Sequence, residues 1–251
     1  MSEFFEGKEV LITGASQGIG KEIAKSFAQK GAHTFLLGKT VSKLEEVQDE
    51  ILQIAPNKKC IVVDVDLHDE HAVNEAIKKI QSQSSQMSII INNAGAYERL
   101  SLQDTTPDDI VMQTRLHVGS ALQLIQAFLP DMYKNQFGRI INISSTAAFL
   151  GSESIPYAVS KSSLVGLTRS LVKRVAKSGI TVNVVVPGPV DSPMTHNMPL
   201  ARRLELERNL PIGRFANIEE IVDPVLFLCS KNASYINGAC LHINGGLYFG
   251  E

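Results

Sequence analysis

One rhythm constrains the fold more than any other feature of the chain. Short runs rich in branched apolar residues recur at Glu9–Thr13, His33–Leu37, Cys60–Val65, Ser88–Asn92, Arg139–Ser144 and Thr181–Val186. Each has the length of a buried strand. "ACLHIN", from Ala239, predicts a last strand. Longer segments with helical spacing lie between the runs, such as Ile19–Lys30. A second helix follows Ser42 and Glu45, whose spacing predicts a capping box. Strand, helix, strand order predicts a parallel sheet covered on both faces, the α/β class. No linker-like stretch interrupts the 251 residues, so 1–251 is expected to form a single domain. The one biased segment, "QSQSSQ" (Gln81 to Gln86), predicts a polar loop.

Composition excludes several classes of partner. A net charge of −2 gives no electrostatic reason to expect nucleic acid or a membrane surface. No apolar run approaches the ~18 residues of a membrane span, and "MSEFFEGKEV" shows no signal peptide. The three cysteines, Cys60, Cys229 and Cys240, are scattered. They suggest neither a disulfide framework nor a metal site, and point to a reducing, cytoplasmic setting.

In parallel sheets of this kind ligands sit beyond the C-terminal ends of the strands. Directly after the first run comes "TGASQGIG", with Gly14, Ser16, Gln17, Gly18, Ile19 and Gly20. Glycines there let the backbone turn tightly and approach a pyrophosphate. The helix that follows offers free backbone N–H groups to the anion. A ligand-free turn would use the same glycines, but the place after an N-terminal strand favours the anion. The second run ends "LLGKT". An acidic residue near this point would favour NAD. Gly38 and Lys39 stand there instead, and the cation suits a 2′-phosphate. NADP(H) is therefore favoured over NAD(H). A solvated surface lysine is the alternative.

The chain resembles the short-chain dehydrogenase/reductase family nearly end to end. The motifs that carry the resemblance are "TGASQGIG", "DLHDEHAV", "NNAG" (Asn92 to Gly95), "GRIINISS", "YAVSK" and "VNVVVPGPVDSPM". "NASYINGACLHINGG" is most similar to bacterial 3-oxoacyl-acyl-carrier-protein reductases. The resemblance implies a doubly wound Rossmann-type sheet, a nicotinamide cofactor and a homotetramer. It places Asp66 and Leu67 beside the adenine, and Asn93, Ala94 and Gly95 along the cofactor. Asn93 could equally tie strands together. Pro187 and Gly188 match the turn under the nicotinamide, and Val190 and Ser192 match its carboxamide contacts.

Tyr157 and Lys161 stand at i and i+4 on an expected helix. A free phenol, with a pKa of about 10, is a poor acid or base at neutral pH. A nearby ammonium is expected to pull that value down and let Tyr157 exchange a proton with a carbonyl or alcohol oxygen. The resemblance implies that Lys161 also holds the nicotinamide ribose. It points to Ser145 as the hydroxyl that orients the substrate oxygen, with Ser144 the alternative.

Two departures from the family stand out. Many relatives carry an asparagine in the long helix after the fourth strand, where it is thought to hold a water that links the lysine to solvent. That place falls on His117, or on Arg115 if the register slips. A neutral histidine both donates and accepts a hydrogen bond, so it could take the role. It can also charge, which predicts an acid-side loss of activity near pH 6.5. Carrier-protein reductases also tend to have arginines before "GRI" and before "GITVN". Here those places read Asn135 to Phe137 and Ala176 to Ser178, with Lys177 the only cation.

The expected substrate loop, 191–213, is apolar at Met194, Met198 and Leu200. Arg202, Arg203 and Arg208 in the same loop are expected to form a solvated face. The leading expectation is an NADP-dependent reductase of a carbonyl, with a small-molecule or acyl substrate such as a 3-oxoacyl thioester. The competing one is a cofactor-binding sensor or scaffold that lost turnover when His117 replaced the asparagine.

Overall fold

A computed structural model describes residues 2–250, so the end residues of the expected 1–251 domain lie outside the described residues. Seven parallel strands form one sheet in the order β3-β2-β1-β4-β5-β6-β7. They are β1 (Glu9–Thr13), β2 (His33–Gly38), β3 (Cys60–Asp64), β4 (Met87–Asn92), β5 (Gly138–Ile143), β6 (Ile180–Pro187) and β7 (Cys240–Ile243). Each coincides with an expected run to within one residue at either end, apart from β7, which is four residues of "ACLHIN".

Side chains alternate through the sheet into two cores. Val10 and Ile12 of β1, Ile89 and Ile91 of β4, and Ile141 and Ile143 of β5 point to one face. There they meet α1 (Gly18–Gln29), α2 (Val41–Ile54) and α10 (Glu219–Cys229). Leu11, Ile90 and Ile140 point to the other face, toward α3 (Glu70–Gln81) and α5 (Ser120–Asn135). A strand buried on both faces must be apolar at every position, which explains the unbroken runs in the sequence. The fold is thus the expected α/β doubly wound sheet.

The order of strands reverses between β1 and β4. One turn runs outward from each there, and the two leave a crevice between them. The buried amides of Asn92 and Asn142 cross-link β4 and β5 (2.7 Å), and Asn142 donates onward to Thr168 (2.7 Å). Thr168 belongs to α7 (Ile155–Val175), the helix that carries Tyr157 and Lys161. The pair is therefore fixed to β4, which bounds the crevice, and to β5 beside it.

Two local expectations are corrected. α2 begins at Val41, with Thr40 as its N-cap and no side-chain cap, so Ser42 lies inside the first turn and forms no capping box with Glu45. The segment 81–86 is more than a polar loop. Ser84, Ser85 and Gln86 all donate to the Glu9 carboxylate, which is buried at the N-terminal end of β1. Burial alone would raise the Glu9 pKa. The four hydrogen bonds outweigh it and hold the carboxyl below its usual range.

Candidate active site

The glycine turn after β1 is built from backbone. Gly14 and Gly18 have φ of +63° and +57°, the left-handed region that favours glycine. A Cβ on Gly14 would come within 2.8 Å of the Ala94 Cα, and one on Gly20 would run into the Gly14 carbonyl and the Asn93 amide. Thr13 Oγ1 accepts from the backbone N–H groups of Asn93 and Ala94, both at 2.9 Å. Asn93 Nδ2 donates to the carbonyls of Thr13 (3.0 Å) and Gly14 (3.2 Å). Asn93 therefore does tie the strands together. α1 starts after Gln17 with no side-chain cap and no acidic residue in its first turn, so Gly18, Ile19 and Gly20 open it with free N–H groups. Ser16 completes the turn.

The rest of the expected cofactor strip lies along the C-terminal ends of the strands. Lys39 is exposed after β2, near enough to Asp66 for its charge to lower that carboxyl's pKa. The main cause of the lowering is the His68 backbone N–H, which donates to Asp66 (3.0 Å). Leu67 is buried. A side chain at Gly38 would meet only Leu44, at an ordinary 3.6 Å, so space does not force the glycine. At the end of β6, the Pro187 carbonyl accepts from the Thr146 N–H and the Gly188 N–H donates to the carbonyl of Ile243 on β7 (2.9 Å). Val190 bridges to Ala216. Ser192 caps α8 (Pro193–His196) and lies beside Gly18, which brings the far end of the strip back to the glycine turn.

The catalytic candidates converge after β5. Ser144 is buried and its Oγ donates to the Lys161 carbonyl (2.8 Å), which commits it to holding α7. Ser145 is the serine whose hydroxyl lies close enough to the Tyr157 phenol to influence its pKa, and its Oγ accepts from the Ala147 N–H (3.1 Å). Lys161 is buried and donates from Nζ to the Ile143 carbonyl (2.8 Å). Its Nζ lies 5.7 Å from the centre of the Tyr157 ring. Burial brings the Lys161 pKa down to about 7.

The phenol departs from expectation. Burial, the largest influence, raises the Tyr157 pKa above its ordinary value. The Ser145 hydrogen bond opposes the rise and Tyr97 adds to it. The expected lowering by the Lys161 ammonium does not appear, because desolvation dominates.

His117 is buried on a π-helical turn, Arg115–Gly119, between α4 (Pro107–Thr114) and α5. Such turns rotate one residue off the helical register. Its Nδ1 lies 2.8 Å from Ser160 Oγ, and its ring packs edge-on against Tyr157 at 5.8 Å. Arg115 faces outward and pairs with Glu70 (2.7 Å), so His117 is the one that reaches the site. Burial first, and the Lys161 charge second, push the His117 pKa down to about 2. The expected acid-side loss near pH 6.5 is thereby corrected: the imidazole stays neutral.

The arginines of 191–213 are not simply a solvated face. Arg202 of α9 (Leu200–Asn209) pairs with Glu205 and with Glu153, which also holds Arg99 (2.7 Å). Arg203 pairs with Asp191 and Glu207. Met194 and Leu200 are 55% and 69% exposed. Sequence reasoning missed Tyr97, whose ring meets Tyr157 edge-on at 5.3 Å, and also Ser160 and Glu153. Tyr97 lies two residues after "NNAG", and that place was its only signal.

The chain matches the model of a family described as Enoyl-(Acyl carrier protein) reductase over residues 14–248. It is 33% identical over 252 residues to a 3-oxoacyl-[acyl-carrier-protein] reductase of Aquifex aeolicus, covering 97% of this chain and 98% of that protein. To the enzyme of the same name from Escherichia coli it is 34% identical over 248 residues, with the same coverage. The crystal structure of L-sorbose reductase from Gluconobacter frateurii, complexed with NADPH and L-sorbose, superposes with a TM-score of 0.91 at 28% identity, covering 98% of each chain. The motifs, the sheet order and these likenesses agree: the chain belongs to the short-chain dehydrogenase/reductase family of oxidoreductases.

Proposed function

We propose that this protein is an NADP(H)-dependent reductase that turns a carbonyl into an alcohol, with a 3-oxoacyl thioester as its substrate class. One observation carries the reading. A phenol kept protonated by burial, a hydroxyl beside it and a buried lysine behind it meet at the C-terminal edge of the sheet. Names of the relatives support the substrate class, and the NADPH complex of the sorbose reductase supports the cofactor. Residues 1–251 would act as one domain, in a homotetramer.

The residues fit a dinucleotide. The uncapped start of α1 and the close approach of Gly14 to Ala94 suit a pyrophosphate on bare backbone. Lys39, with no acidic residue in its place, suits a 2′-phosphate. When bound, the reduced nicotinamide supplies the hydride that adds to the carbonyl carbon. Ser145 holds the substrate oxygen, and Tyr157 gives it a proton. A raised phenol pKa fits this direction, because the acid must hold its proton until the oxygen becomes basic. Lys161 and His117 lie behind the phenol, where a replacement proton must enter. The sensor or scaffold reading rests on His117, yet its Nε2 and Lys161 Nζ both lie against Gly95, which suits a relay residue.

The test is loss of reduced-cofactor absorbance on a panel of ketones and 3-oxoacyl thioesters, the latter on both coenzyme A and an acyl carrier protein. Turnover is expected with NADPH, and Lys39→Asp is expected to move the preference toward NADH. Equal or better turnover with NADH by the unmutated protein sinks the cofactor choice. If no carbonyl is turned over until His117→Asn is made, the sensor or scaffold reading takes its place.

A further inference from the structure

His117 has two ring nitrogens and one proton to place between them. Nδ1 lies 2.8 Å from Ser160 Oγ. That same Oγ lies 2.9 Å from the Tyr157 carbonyl oxygen. A hydroxyl has a single proton, and a carbonyl oxygen can only accept. The Ser160 proton therefore goes to Tyr157, and Oγ is left to accept from Nδ1–H.

The other nitrogen looks the opposite way. Nε2 is buried and has no hydrogen-bond partner among the described residues. A Cβ built on Gly95 would lie 3.0 Å from Nε2 and 3.3 Å from Lys161 Nζ, so both groups converge on the strip of chain at Gly95. An ammonium offers donors only. An Nε2–H would aim a donor toward it, whereas a bare lone pair would be attracted. Both sides of the ring thus select one tautomer.

We propose that Ser160 is a positioning residue: it holds His117 as the Nδ1–H tautomer and so presents Nε2 to Lys161 as a hydrogen-bond acceptor. Ser160 is fully buried on α7, between Tyr157 and Lys161, so the helix that carries the pair also sets the ring behind it. Lys161 uses one N–H on the Ile143 carbonyl. Another can reach Nε2 through a single water. This role in turnover rests on the reductase reading above; the tautomer itself does not.

The experiment is a nitrogen-15 spectrum of histidine-labelled, unmutated protein, with the His117 signals identified by their loss in His117→Asn. The expected result is a protonated Nδ1 and a bare Nε2. A protonated Nε2 overturns the proposal, whether or not any substrate is turned over. A kinetic arm tests the consequence. Ser160→Ala is expected to lower turnover about tenfold in the parent and to add little once His117 is asparagine, the coupling of residues that act through one another. Equal losses in both backgrounds would show that Ser160 serves packing alone and would overturn the positioning role. Should Ser160→Ala fail to fold, the spectrum of the unmutated protein still decides.

Discussion

The glycine turn after β1 and the side-chain cluster after β5 face each other across one crevice, yet they are made of different material. The first is backbone. The side chains of Thr13 and Asn93 brace its main chain from outside, and the glycines matter because they lack a Cβ. The second is a set of polar side chains drawn in from several elements. Lys161, His117, Ser144 and Ser160 are all buried, and each is held by a carbonyl or a hydroxyl. A backbone cradle tolerates changes in what surrounds it and fails when an atom is added. A buried polar cluster fails when one partner is removed, because the others are left unsatisfied.

Gly20→Ala should strike the first region hardest. The new methyl must displace the Gly14 carbonyl or the Asn93 amide, a misfit of about 1–3 kcal/mol. NADPH affinity is expected to fall at least ~10-fold, equivalent to about 1.4 kcal/mol. Fluorescence titration and urea unfolding check the two effects. Unchanged affinity would mean that the turn is not the dinucleotide cradle.

A smaller effect separates the second region by its pH dependence. The His117 pKa is depressed to about 2 in the folded protein, against about 6.5 unfolded. Below pH 6.5 the unfolded chain takes up a proton that the folded protein refuses. Stability is then lost as pH falls, by up to about 1.4 kcal/mol per pH unit, and above 6.5 the histidine contributes no slope. Urea midpoints of the parent and of His117→Asn, taken from pH 7 to pH 5, should diverge in favour of the variant. Parallel curves would show that His117 charges in place.

The same contrast decides what the sequence could reveal. Strands buried on both faces must be largely apolar, so β1, β2, β4, β5 and β6 stood out, and the partly covered β3 and β7 still showed as short runs rich in branched residues. The glycine turn was legible because its glycines are adjacent in the chain. The pair Tyr157 and Lys161 was visible as helical spacing. Its electrostatics were not, because burial depends on the neighbours that cover it. Ser160 gave no signal, since a serine before a lysine is ordinary until His117 is folded against it. The same holds for Glu153, whose partners Arg99 and Arg202 lie far away in the chain. The Ser42 and Glu45 spacing was sound, but the helix starts two residues earlier than that box requires, at Val41 with Thr40 as its N-cap. The polar run 81–86 hid its purpose because the carboxylate it surrounds belongs to Glu9 on another strand.

The division of labour between the two regions is tested most directly with Tyr157→Phe. NADPH binding and carbonyl turnover would be measured on the same preparation of that variant. Binding is expected to match the parent, because the dinucleotide rests on backbone that the hydroxyl does not touch. Turnover is expected to fall by at least ~100-fold, the low end for a lost general acid. A variant that keeps most of its activity, or that loses cofactor binding together with turnover, would contradict the assignment of the proton to Tyr157 and of the cofactor to the glycine turn.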